Sequence, residues 1–242
     1  MYKNYIFDFY GTIVDVGTNE EKVFLWRKMK LWLGMYGVHY EKATDIKKRY
    51  QELVRELENN AGRENAEINI EDVFKKMFAE KGVKITDEFA VTTAQFFRII
   101  SLDFVAPYEG VVETLAKLKE EGKKVYLLTN AQRIFTEPEI KMLGLDEYFD
   151  GIVYSSDEGV KKPDVEFFDV IFKRYNLKKE ESIFIGNDHL ADIKGASSYG
   201  INSLYIYTSI SPKFPGAGIL PKSCKEIKHF EDVLKSVEIT EK

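Results

Sequence analysis

Residues 5–14 read Tyr-Ile-Phe-Asp-Phe-Tyr-Gly-Thr-Ile-Val. Three large apolar or aromatic residues in a row, then Asp8 and the turn-forming Gly11, describe a short strand buried on both faces that ends abruptly in polar chemistry. Four later runs share the character: VYLL at 125–128, IVY at 152–154, IFI at 183–185 and LYIY at 204–207. From the second run onward, helical segments fall between them, at 110–121 before Gly122, 133–143 before Gly144, 165–175, and 190–199 before Gly200. A glycine just past a helix is a stop signal, and strand alternating with helix predicts right-handed crossovers. The fold class is therefore α/β, a doubly wound, Rossmann-like parallel sheet.

Between the first and second runs the pattern changes, and residues 17–104 read as helices only. The first spans 19–37, with Glu20 and Glu21 in its first turn. The second, 41–58, places Ile46, Tyr50, Leu53 and Leu57 on one face. A third covers 70–81, and a fourth starts at the Thr86-Asp87-Glu88 cap and ends near Leu102. They predict an α-helical bundle inserted into a core made of residues 1–16 and 105–242, with hinges at 16–18 and 103–107. Trp26, Trp32, Phe24 and Met29 are expected to pack the bundle rather than stack on a ligand. The loop 212–221 is expected to be a surface connection.

Composition narrows the function. Lys and Arg total 35 against 40 Asp and Glu, a net charge of −5 without a long basic run, which argues against nucleic acid as a partner. Cys224 stands alone, so an intrachain disulfide and a cysteine-rich zinc site are excluded. His39, His189 and His229 are too scattered for a triad. No apolar run approaches the ~18 residues of a membrane span, and the chain enters its first strand without a basic leader, so a cytoplasmic protein is expected.

In such a sheet, ligands bind beyond the carboxyl ends of the strands. The first strand runs into Asp8-Phe9-Tyr10-Gly11-Thr12 and the second into Thr129-Asn130. The third is followed by Lys161-Lys162-Pro163, and the fourth by residues 186–192, Gly-Asn-Asp-His-Leu-Ala-Asp. Singly, an Asp after a strand makes a turn, a Thr caps and a Lys is solvated. Together they supply a nucleophile, a hydroxyl donor, a cation and metal-ligand oxygens.

These segments, FDFYGT, LLTN, KKPD and IGNDHLADIKGA, with PYEGVVETLAKLKEEG after the helical insert, resemble the haloacid dehalogenase-like hydrolase superfamily over essentially the whole chain. The resemblance implies a magnesium-dependent phosphohydrolase acting on a small-molecule phosphate ester. Asp8 would be the nucleophile, forming an aspartyl phosphate, and Mg2+ would lie between Asp8, the Tyr10 carbonyl and the fourth motif. Gly11 and Thr12 would border the substrate, Thr129 and nearby backbone N–H groups would hold the phosphoryl oxygens, Lys162 would neutralise charge, and Tyr10 and Asn130 would complete the catalytic set. The helical insert would be a cap that opens and closes, with Arg27, Trp26 and Asn59-Asn60 as candidate substrate contacts.

Two positions depart from that pattern. Tyr10 stands where the phosphatases carry a second Asp as general acid and base, and a phenol with pKa near ~10 shuttles protons poorly at neutral pH. Asn187 stands where the first acid of the fourth motif is expected. The metal is therefore assigned to Asp188, with Asp192 in direct or water-mediated support and Asn187 as a substitute oxygen ligand. Tyr10 also fits a rival, the metal-independent 2-haloacid dehalogenases, in which Asp8 would attack a halogen-bearing carbon and Arg27 would grip the carboxylate or halide. Against the rival, Phe168 replaces a functional tyrosine of those enzymes, and the fourth motif is richer in carboxylates. A catalytically weakened regulatory or binding protein is the third reading.

Overall fold

The computed structural model describes residues 2–213 and 220–235. The chain divides into two compact units, Met1–Val16 with Val105–Lys242, and Gly17–Phe104. In chain order its main elements are β1 (Asn4–Phe7), β2 (Val14–Thr18), α1 (Val23–Met35), α2 (Ala43–Asn60), α3 (Ile70–Ala79), α4 (Asp87–Ser101), β3 (Leu102–Pro107), α5 (Val111–Glu120), β4 (Lys124–Thr129) and α6 (Arg133–Met142). They continue with β5 (Gly151–Tyr154), α7 (Ser155–Glu158), α8 (Val165–Arg174), β6 (Ser182–Gly186), a π-helical turn (His189–Lys194), α9 (Gly195–Tyr199), β7 (Asn202–Ile206) and β8 (Cys224–Ile227).

In the first unit, six parallel strands run in the order β5-β4-β1-β6-β7-β8. Alternation along each strand sorts the core into two layers. Tyr5, Phe7, Val125, Leu127, Ile183 and Ile185 pack with Val111, Leu115 and Leu118 of α5 on one face. Ile6, Tyr126, Leu128 and Phe184 pack with Phe167, Phe168 and Ile171 of α8 on the other. Burial on both faces is why the strands read as unbroken apolar runs. The chain leaves β1 for β4 on one side and returns to β6 on the other, so the carboxyl end of β1 is the topological switch point.

The second unit is a four-helix bundle. Its centre is aromatic: Trp26 lies 5.4 Å from Tyr50 and 5.7 Å from Phe97, and Tyr50 lies 5.7 Å from Phe74, between ring centroids. Trp26 and Met29 are buried, but Phe24 is 59% exposed and Leu57 is only half-buried, so the packing faces of α1 and α2 are narrower than their sequences indicate. Thr86 caps α4 by accepting the Phe89 N–H at 3.2 Å.

Four details differ from the sequence reading. Helix α1 begins at Val23, not residue 19, because the Asn19 side chain accepts the Glu21 N–H at 2.9 Å and holds the backbone in a turn. The segments expected as hinges belong to β2 and β3, which pair with each other as a two-stranded sheet. Residues 190–199 are not one α-helix, since a π turn precedes α9. Strand β8, four residues at the sheet edge, carried no apolar run to announce it. Of the loop 212–221, residues 214–219 lie outside the described residues.

Candidate active site

Asp8 follows β1 at the switch point, and its Oδ1 accepts a hydrogen bond from Lys162 Nζ at 2.7 Å. Lys162 reaches the same spot from the segment after α7, and its Nζ also donates to Asp192 Oδ1 at 2.7 Å. Lys162 and Asp192 side chains are each 1% exposed. Burial opposes the Lys162 charge, but the carboxylates of Asp192 and Asp8 outweigh it and raise its pKa, so the ammonium persists. Burial pushes the Asp192 carboxyl up, against the pull of Lys162 and with a further push from Asp8.

The π turn explains how Asp192 gets there. Asp188 caps it, its Oδ1 accepting from Leu190 N–H at 2.8 Å and Ala191 N–H at 3.0 Å. The Ile193 N–H reaches back to the Asp188 carbonyl at 3.1 Å, the wide loop of a π turn. Asp192 is thereby folded inward, and its Oδ2 accepts the N–H groups of Asn187 at 3.0 Å and Asp188 at 2.9 Å. Both Asp192 oxygens are committed to Lys162 and to this loop. A Cβ on Gly186 would stand 2.4 Å from Asp192 Oδ2, so the close approach requires glycine there.

Asn130 braces the lysine. Its Oδ1 accepts the Lys162 N–H at 2.8 Å and its Nδ2 donates to the Lys162 carbonyl at 3.0 Å, so the Asn130 side chain is spent on holding the third motif. Thr129 ends β4 with a hydroxyl that is buried and without a hydrogen-bond partner among the described residues. Leaving a buried hydroxyl unpaired is unfavourable, and Thr129 lines the cavity beside Asp8, where a ligand oxygen can accept its proton.

Gly11 turns at φ +84°, a region open chiefly to glycine, and a Cβ there would meet the Asn187 amide at 2.3 Å. The buried Thr12 hydroxyl donates to Asn187 Oδ1 at 3.1 Å, and Asn187 Nδ2 donates to Ser211 Oγ at 3.3 Å. The Asn187 amide is thus fixed at both ends. Tyr10 contributes its backbone near Asp8, while its phenol donates to Glu139 Oε2 at 2.8 Å and lies 3.0 Å from Thr136 Oγ1, both on α6. Phe168 is fully buried in the core against Phe184. Arg27 is exposed on α1 of the helical unit.

These core-unit residues surround a cavity of about 190 Å³ lined by Asp8, Tyr10, Thr129, Lys162, Asn187 and Asp188, among others. The sequence reading passed over four contributors: Glu139, Thr208, Ile210 and Ser211. Each acts from a helix or loop far along the chain, and only the tertiary fold brings it in.

The donor set also suits a divalent cation. Among the described residues no group of three or more His, Cys, Asp or Glu is arranged as a cage. Magnesium, however, is held through one or two carboxylates and keeps several waters. Asp8 and Asp188 both line the cavity, and each retains an oxygen, Oδ2, with no protein hydrogen bond among the described residues.

A 26% identity over 169 residues relates the chain to a glyceraldehyde 3-phosphate phosphatase of Methanocaldococcus jannaschii, covering 70% of this chain and 69% of that protein. A 33% identity over 135 residues relates it to the pyrophosphatase PpaX of Halalkalibacterium halodurans, covering 56% of this chain and 60% of that protein. A 2-haloacid dehalogenase from Pseudomonas syringae superposes with a TM-score of 0.66 at 18% identity, over 97% of both chains, a likeness of fold. Residues 2–200 match the family model described as haloacid dehalogenase-like hydrolase, and the chain belongs to that family.

Proposed function

We propose that the protein is a magnesium-dependent phosphohydrolase that cleaves small phosphomonoesters through an aspartyl phosphate on Asp8. The observation that carries this reading is the Asp8–Lys162–Asp192 chain of charges at the switch point, with both Lys162 contacts at 2.7 Å. Asp8 attacks phosphorus as the P–O ester bond breaks, the ester oxygen leaves and takes its proton from water, and a second water then cleaves the acyl phosphate to regenerate the carboxylate and release inorganic phosphate. Lys162 offsets the charge of the nucleophile and of the phosphoryl group, and the Thr129 hydroxyl donates to a phosphoryl oxygen. Asp192 orients Lys162, and Asn130 fixes its backbone. Magnesium, held by Asp8, Asp188 and the Tyr10 carbonyl, would screen one anion from another. In this reading residues 17–104 are the cap; the relative named glyceraldehyde 3-phosphate phosphatase supports a phosphomonoester substrate, and the relative named pyrophosphatase supports phosphohydrolysis more broadly.

The test is release of p-nitrophenol from its phosphate ester, with magnesium, with EDTA and with Asp8→Asn, beside chloride release from 2-chloropropionate. Magnesium-dependent release that the substitution abolishes supports the reading. Metal-independent chloride release sinks it in favour of the dehalogenase.

A further inference from the structure

Among the described residues that line the cavity beside Asp8, several donate hydrogen bonds, but none has a proton to give up to a departing oxygen. The Tyr10 phenol donates to Glu139 Oε2 at 2.8 Å, and its other neighbour, Thr136 Oγ1 at 3.0 Å, lies on the same helix, α6. The Asn130 amide is spent on the backbone of Lys162. The Asn187 amide is a strut between the nucleophile turn and the loop after β7: its Oδ1 accepts from Thr12 at 3.1 Å and its Nδ2 donates to Ser211 Oγ at 3.3 Å. In that loop the Thr208 hydroxyl gives its own proton to the Gly11 carbonyl at 2.7 Å. Lys162 spans Asp8 and Asp192 at 2.7 Å each, and a proton passed on from it would leave two buried carboxylates facing each other without a counter-charge. Asp192 accepts at both oxygens and Asp188 accepts two N–H groups, as carboxylates do. The Thr129 hydroxyl can hydrogen-bond a phosphoryl oxygen, but an alcohol keeps its proton. His189, next to Asp188 in the chain, is not among the residues lining the cavity.

We propose that this site selects its substrate by the acidity of the leaving group, taking phosphate joined to a carboxylate, enol or phenol oxygen over phosphate joined to an alkyl alcohol. This rests on the phosphohydrolase reading and narrows it. A carboxylate, enolate or phenolate takes the electron pair of the breaking P–O bond and departs as a stable anion while Asp8 bonds to phosphorus, so that step needs no proton. An alkoxide is far more basic and has to be met by a proton as the bond breaks, and here water alone supplies it. A positioned general acid contributes ~10²–10⁴-fold where it operates, and alkyl esters forgo that factor at this site.

The experiment measures kcat/KM with magnesium for acetyl, p-nitrophenyl, phenyl and benzyl phosphate in wild type and in Tyr10→Phe. This quantity reports the step in which the leaving group departs, because hydrolysis of the aspartyl phosphate comes later and is common to all four. Phenyl and benzyl phosphate are similar in shape, but one releases a phenol of pKa ~10 and the other an alcohol, about as weak an acid as water, pKa ~16. Wild type is expected to lose at least about a hundredfold from p-nitrophenyl to benzyl phosphate, and to place acetyl phosphate above benzyl phosphate although it has no ring to bind. The ratio of p-nitrophenyl to benzyl phosphate should stay within about threefold in Tyr10→Phe, since the phenol proton goes to Glu139. A wild-type series that spans less than about tenfold, or a Tyr10→Phe variant that loses benzyl phosphate selectively, shows that a donor serves the leaving group and overturns the inference while the phosphohydrolase reading stands. If wild type turns over none of the four, the reading itself fails and takes the inference with it.

Discussion

The phenol of Tyr10 donates its proton to the carboxylate of Glu139 at 2.8 Å, in the sheet unit, at the position where phosphatases of this family carry an acid. Thr136 donates to the Gln132 carbonyl at 3.0 Å, so its oxygen can only accept from Tyr10, and both acceptors open to the phenol proton lie on α6. The Tyr10 proton is therefore engaged away from any leaving group. Tyr10→Phe is expected to keep kcat/KM on p-nitrophenyl phosphate within about tenfold, since general acid catalysis contributes ~10²–10⁴ where it operates. It should cost about 1–3 kcal/mol in urea unfolding, because a buried carboxylate loses a donor. A fall in activity beyond a hundredfold at unchanged stability would make the phenol itself the acid.

Removing one partner from the buried charge chain should be severe. Lys162→Met leaves Asp8 and Asp192 facing each other without a counter-charge, and breaking such a pair costs about 3–5 kcal/mol. Asp192→Asn keeps an acceptor for the Asn187 and Asp188 N–H groups and should cost less than Lys162→Met. Denaturant midpoints at neutral pH rank the two, and the reverse order would contradict the assignment of Lys162 as the centre of the chain.

Gly11→Ala forces a Cβ to 2.3 Å from the Asn187 amide at φ +84°. Both the strained backbone and the clash act in the same direction, and a loss above about 2 kcal/mol is expected from thermal or denaturant unfolding. A variant as stable as wild type would show that the turn relaxes freely.

Asp150 ties the start of β4 to the sheet edge. It accepts from Lys119 at 2.7 Å, Lys124 at 2.9 Å and the Val125 N–H at 2.9 Å. Burial alone would raise its pKa, but these donors outweigh burial and hold the carboxyl below the usual aspartate value. A depressed folded pKa means the stabilisation is complete above the unfolded pKa, near ~4, and is lost as pH falls through the folded value. Asp150→Asn should be less stable than wild type by about 1–2 kcal/mol at pH 7, with the gap closing below pH ~4. A gap that is independent of pH would assign the effect to packing.

How much of this was legible depended on whether the cause was local. Ile6 and Phe7 are buried on opposite faces of the sheet, so β1 reads as an apolar run wherever the chain is examined, and the same holds for β4 and β6. Asp8, Thr129 and Asp188 stand at strand ends or just beyond, and Lys162 lies in the connection that leads from β5 to α8, positions that the fold class itself marks. The π turn was not legible, because its extra residue answers to where Asp192 must reach rather than to local propensity. Neither was the strut, since Asn187 and Ser211 are 24 residues apart and read as an altered ligand and an ordinary loop serine. The partner of Tyr10 was hidden in the same way: Glu139 lies 129 residues away, and only the packing of α6 against the first-motif loop makes them neighbours.

The most direct test of the central claim is acid-quenched single turnover with a radiolabelled phosphomonoester and magnesium, followed by peptide mapping. The account predicts transient label on the peptide containing Asp8, lost on mild base treatment as expected for an acyl phosphate, and absent in Asp8→Asn or with EDTA. Turnover that proceeds with no label on that peptide at any quench time contradicts it.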